Sequence, residues 1–101
     1  MVEVVRNGGA RADFARMDLS RRDFSRSVLA GANFREAILA DTNFEKAILA
    51  AADFGDAILL RANLREADLR GADLRGADLK DAVQDSTKKG ELSGTSLSTR
   101  L

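Results

Sequence analysis

The sequence predicts an all-β solenoid, a β-helix with four sides and one five-residue repeat on each side of every coil. Three observations predict it. Large apolar residues recur at every fifth position without a break, Phe and Leu alternate within that recurrence, and charges placed 20 residues apart are mostly opposite in sign.

The period comes first, because a short internal repeat decides the architecture before any helix or strand is assigned. Phe14, Leu19, Phe24, Leu29, Phe34, Leu39, Phe44, Leu49, Phe54, Leu59, Leu64, Leu69, Leu74 and Leu79 form an unbroken series. Two residues before each of them stands Ala, except at Met17, Arg22, Ser27 and Thr42. The residue between is Asp or Asn, except at Val28, Ile38, Ile48 and Ile58. On an α-helix a step of five turns about 140°, which scatters these residues around the cylinder. In a flat strand, residues five apart point to opposite faces. A coil that turns a corner once per repeat places every large residue, and the small one two before it, inside. Asp and Asn suit the corners, since their side chains bond nearby backbone and tolerate tight turns.

The number of sides follows from the alternation. From Phe14 to Leu59, like stacks on like between coils only if each coil has an even number of sides. Charge supports four. Among residues 11–81, pairs 20 apart are opposite in sign six times (Arg16/Glu36, Arg21/Asp41, Asp41/Arg61, Glu45/Arg65, Lys46/Glu66, Arg61/Asp81) and alike three times. At 15 apart the tally is two against six. Strands on adjacent coils lie about 4.8 Å apart, where like charges repel.

Taken in order, residues 1–11 are expected to be an irregular capping segment. In it, Val2, Val4 and Val5 form a first strand, and Asn7-Gly8-Gly9 turns into the coil. Residues 12–83 make the β-helix, with the first coil expected to be distorted where Met17, Arg22 and Ser27 replace Ala. Residues 84–101 read as a tail rich in Ser, Thr, Lys and Gly. That tail is either flexible or a pair of degenerate repeats centred on Leu92 and Leu97.

Composition bounds the function. With 101 residues the chain holds one small domain, and its 16 basic and 16 acidic residues cancel. No bulk field therefore draws it to nucleic acid or an anionic membrane, and neither direct nucleic-acid binding nor membrane insertion is expected. Cys and His are absent, which removes thiolate and imidazole chemistry. No EF-hand loop, Gly-rich nonapeptide or phosphate loop is present, so no metal and no cofactor are expected. The opening residues lack the pattern of an export signal, and the expected compartment is the cytoplasm.

Runs such as ANLREADLRGADLRGADLK resemble the pentapeptide-repeat proteins, whose consensus is A(D/N)LXX, and the resemblance covers residues 12–81 in one register. It implies a right-handed quadrilateral β-helix with four repeats per coil and the central Leu or Phe inside. Members of this family commonly dimerise through a coil end, and some resemble DNA and bind type II topoisomerases.

Four surface features are candidates for function. Arg6, Arg11, Arg16, Arg21 and Arg26 fall at five-residue steps, a collar of corners rather than a flat phosphate-binding patch. Residues 36–60 hold five acids against Lys46 alone. Val28 stacks under Ile48 on one side, and Ile38 under Ile58 on the opposite side with Leu60 adjacent, making two aliphatic strips that either stabilise the ladder or form a contact surface. Finally, each end of a solenoid is a sheet edge with unpaired backbone groups. The expected function is a non-enzymatic structural or protein-interaction module, homodimeric through a coil end. A DNA-mimicking modulator of a type II topoisomerase is the alternative, and a consensus-like or truncated chain with no role beyond its fold is a third reading.

Overall fold

The computed structural model describes residues 12–88. The segment 1–11 and the repeats around Leu92 and Leu97 lie outside the described residues.

Backbone pairing repeats every 20 residues. Asp13 bridges Asn33, Asn33 bridges Asp53 and Asp53 bridges Asp73, all parallel, and the rows starting at Asp18, Asp23 and Val28 behave alike. Four rows at a 20-residue step make a coil of four sides. Side 1 carries the central residues Phe14, Phe34, Phe54 and Leu74; side 2 carries Leu19, Leu39, Leu59 and Leu79. Side 3 carries Phe24, Phe44, Leu64 and Gln84, and side 4, opposite side 2, carries Leu29, Leu49 and Leu69.

Each bridge is an isolated pair, and no longer strand forms among the described residues. The reason is the corner. Asn33 donates its N–H to the Ala12 carbonyl at 2.8 Å, and its own carbonyl accepts the Phe14 N–H at 2.7 Å. Two residues later the chain has already turned, with the Arg16 N–H reaching the Arg35 carbonyl at 2.8 Å and the Met17 N–H closing the turn on Phe14 at 3.2 Å. A side is therefore one bridged residue long, and pairing gains its strength from stacking coils.

The third residue of each turn has positive φ, which matches type II geometry. Gly31, Gly71 and Gly76 occupy this place with φ of 75–76°, yet twelve non-glycine residues, among them Arg16, Asp41, Lys46, Ala51 and Arg61, occupy it at 56–62°. Each such residue costs roughly 1–2 kcal/mol against a right-handed conformation. The Asp or Asn of the repeat offsets part of that by holding the corner. Oδ1 of Asn33 accepts the Arg35 N–H at 2.9 Å, and Asp13, Asn43, Asp53, Asn63, Asp68, Asp73 and Asp78 do likewise at 2.9–3.1 Å. Val28, Ile38, Ile48 and Ile58 lack an acceptor for this bond.

All fourteen central Leu and Phe residues are buried, with the Ala residues from Ala32 to Ala77 packed beside them. Phe rings come from the opposite sides 1 and 3. On side 1, Phe14, Phe34 and Phe54 stack at 5.0 Å, and on side 3 Phe24 and Phe44 stack at 5.4 Å. Across the tube the two columns meet edge to face at 5.6–6.0 Å. Both arrangements suit the ring quadrupole. Two polar residues among those described are buried, and they differ. Thr42 donates its hydroxyl to the Leu19 carbonyl one coil away at 2.9 Å, whereas the Ser27 hydroxyl finds no partner among the described residues.

The first coil is less disturbed than its sequence suggests. Met17 and Arg22 are exposed, but the bridges at Asp18 and Asp23 and both corner bonds are intact. Those bonds use backbone only, so an oversized side chain swings outward without breaking them. Pairing also runs beyond residue 83. Val83 bridges Asn63, Lys88 bridges Asp68, and Thr87 fills the small inward place, its hydroxyl donating to the Leu64 carbonyl at 2.7 Å. Among the described residues no helix is long and apolar enough to cross a membrane.

Candidate functional site

Acid–base chemistry requires a titrating group poised near neutral pH, and five acids here are shifted away from it. Asp41 is kept below the usual carboxylate range by the Arg61 guanidinium, which bonds both of its oxygens at 2.9 Å. Arg70 does the same to Asp68, and Arg75 to Asp73, with bonds of 2.7–3.0 Å. The Ser20 hydroxyl and N–H lower Asp18, and Ser25 lowers Asp23. Each of these acids is a charged acceptor locked to its neighbour, the opposite of a proton donor poised near neutral pH. No group of three or more acids among the described residues is placed to hold a metal ion.

What the fold does present is four flat sides. Val28 and Ile48 stand outward on side 4, Ile38 and Ile58 on side 2, each 37–42% exposed, and Leu60 lies beside Ile58 half-buried. The two strips are not equivalent. Side 2 is framed by the corner column Arg21, Asp41, Arg61 and Asp81, whose side chains are charged in every coil. Side 4 is preceded by the corner column Arg26, Lys46 and Glu66 but followed by Gly31, Ala51 and Gly71. On sides 1, 2 and 3 every coil carries at least one outward charge. On side 4, the outward residues Val28, Ala30, Gly31, Ile48, Ala50 and Ala51 carry none through two successive coils.

The sequence reading missed this column, although its signal is the same 20-residue step that gave the coil. Positive φ favours glycine at Gly31 and Gly71, but packing does not demand small residues there. A Cβ added at Gly71 would make only ordinary contacts with Ala51 at 3.8–3.9 Å, and twelve larger residues adopt the same turn conformation.

The other candidates fare differently. Of the arginine collar, Arg16, Arg21 and Arg26 sit exposed on successive corners, while Arg6 and Arg11 lie outside the described residues. The acidic band is largely paired. Glu36 lies 3.9 Å from Arg16, Asp41 pairs with Arg61, and Asp53 and Asp56 face Arg35 at 3.4 and 3.6 Å. A window on residues 36–60 excluded the three arginines that the coil brings to it.

The family profile described as pentapeptide repeats matches residues 10–45 and 47–83 in eight copies. No curated protein matches. Among solved structures, a pentapeptide repeat protein from the thylakoid lumen of Arabidopsis thaliana is 36% identical with a TM-score of 0.71, covering 80% of this chain. The chain spans 61% of that protein. A pentapeptide repeat protein from Nostoc is 30% identical, with a TM-score of 0.63 and coverage of 86% of this chain and 87% of that one. A plasmid-mediated fluoroquinolone resistance protein is 26% identical with a TM-score of 0.52, over 85% of this chain and 49% of its own. These neighbours imply the right-handed quadrilateral β-helix.

Proposed function

Because the chain belongs to the pentapeptide-repeat family, we propose that it is a non-enzymatic interaction module that presents rigid sides and self-associates through a coil end. What supports the self-association is that coils are joined through backbone alone. The Phe54 and Leu59 N–H groups donate to the Asp73 and Asp78 carbonyls one coil away at 2.7 Å, and the outermost coil of any solenoid presents the same groups to a further strand. A second copy completes such an edge by strand addition. The chain has no cysteine, so one introduced thiol is unambiguous. Ser86→Cys, at an exposed corner of the last described coil, is expected to cross-link between copies with a short bis-maleimide. A chain that stays monomeric by light scattering at every concentration refutes the coil-end reading.

The DNA-mimicking alternative loses support from the pairing of four of the five acids in the band, since a mimic needs them unneutralised. Inhibition of gyrase supercoiling at micromolar protein would restore it.

A further inference from the structure

We propose that side 4 is a lateral contact between two copies of this chain, packed side to side with their tubes parallel about a two-fold axis along the tube. It goes beyond the coil-end reading and rests on different residues.

The case begins with what such a two-fold does. It keeps each coil at its own level and reverses the order of residues along the side. The outward residue before the central Leu then faces the outward residue after it on the other copy. On side 4 these pairs are Val28 with Ala30, Ile48 with Ala50, and Asp68 with Arg70. The first two set a large aliphatic side chain against a methyl group, so the faces interdigitate as packed sheets do. The third sets an acid against a base; within one copy Arg70 already bonds both oxygens of Asp68, at 2.9 and 2.7 Å. The same symmetry satisfies shape in two coils and charge in the third.

The corners decide between sides. Side 2 has the related pairs Ile38 with Ala40 and Asp78 with Lys80, but Ile58 would meet Leu60, two large groups in one place. Its corners also project Arg21, Asp41 and Arg61 at the rim. Of the two rims of side 4, one carries Arg26, Lys46 and Glu66, but the other carries Gly31, Ala51 and Gly71, which project at most a methyl group; the two-fold sets each long rim against the other copy's short one, so the faces can close. The chain's net charge of zero adds no long-range repulsion between copies.

Size sets the strength. Three coils at ~4.8 Å span roughly 14 Å, and the narrowest extent of the particle is 22 Å. Side 4 therefore offers roughly 300 Å² per copy, less than half of what a standard stable interface buries on each partner. The contact is a reversible one that dissociates on dilution.

The test compares matched thiols and one corner charge. Ala50 and Ala40 hold the same place in the repeat on opposite sides and are both half-buried. Ala50→Cys is expected to cross-link with a short bis-maleimide and Ala40→Cys is not. Ala51→Arg is expected to raise the dissociation constant by about ten-fold or more in sedimentation, with an unchanged circular dichroism spectrum. Its fold is secure, because Arg16, Arg21, Arg26 and Arg61 take this corner conformation already. Equal cross-linking of Ala40→Cys and Ala50→Cys overturns the proposal, as does wild-type association by Ala51→Arg. Cross-linking of Ser86→Cys with none at Ala50→Cys also overturns it while supporting the coil-end reading; the reverse result separates them the other way.

Discussion

Replacing Phe34 by Leu probes the core at its most connected ring. Phe34 is fully buried. It stacks on Phe14 and Phe54 at 5.0 Å each and meets Phe24 and Phe44 edge to face at 6.0 and 5.6 Å. Phe14, at the end of the same column, has only the contacts to Phe24 and Phe34. Leu fits the place, since Leu74 occupies it two coils higher, so the substitution removes ring contacts while keeping most of the apolar burial. At about 0.5–1.5 kcal/mol per aromatic pair, four pairs lost against two predicts roughly 2–4 kcal/mol for Phe34→Leu and roughly 1–2 for Phe14→Leu, allowing for incomplete additivity. In a domain of this size each kcal/mol lowers the melting temperature by about 4–8 °C. Urea denaturation followed by far-ultraviolet circular dichroism measures both, with the slope unchanged. Equal losses for the two variants would refute the stacked-ring account, because stability in a solenoid must then not depend on neighbours in adjacent coils.

Removing the Ser27 hydroxyl, which has no partner among the described residues, with Ser27→Ala is expected to raise stability by about 1 kcal/mol in the same assay. Thr42→Val, which deletes the bond to Leu19, is expected to lower it by about 0.5–1.5. At the corner of Lys46, φ is 61°; Lys46→Val is expected to cost about 1–2 kcal/mol, while Lys46→Gly is near neutral, its relief of strain offset by unfolded-state entropy. Asp18, Asp23, Asp41, Asp68 and Asp73 are all held below the ordinary carboxylate range in the fold, chiefly by side-chain hydrogen bonds from Ser20, Ser25, Arg61, Arg70 and Arg75. A depressed folded value means that their contribution is complete above the ordinary carboxylate range and drains away as pH falls through the folded values. The urea midpoint should hold steady down to the ordinary range and drop below it; a midpoint that stays flat on further acidification would contradict the pairing.

The sequence alone determined the coil. A five-residue period in Phe and Leu has one packing solution, and the alternation with the 20-residue charge pattern fixed four sides, because inward residues must stack on their own kind. It also located Val28, Ile38, Ile48, Ile58 and Leu60 on outer faces. Three matters were decided only by the folded chain. The backbone absorbed Met17 and Arg22 because ladder bonds do not pass through side chains. The acidic band was largely paired because Arg16, Arg35 and Arg61, outside it in sequence, lie one coil or less away in space. Sides 2 and 4 became unlike because the corner residues, two positions past each central Leu, stand at the rim of the side they follow. A linear count sees spacing along the chain, while charge and contact act through space, and a coil of 20 residues makes those two distances different.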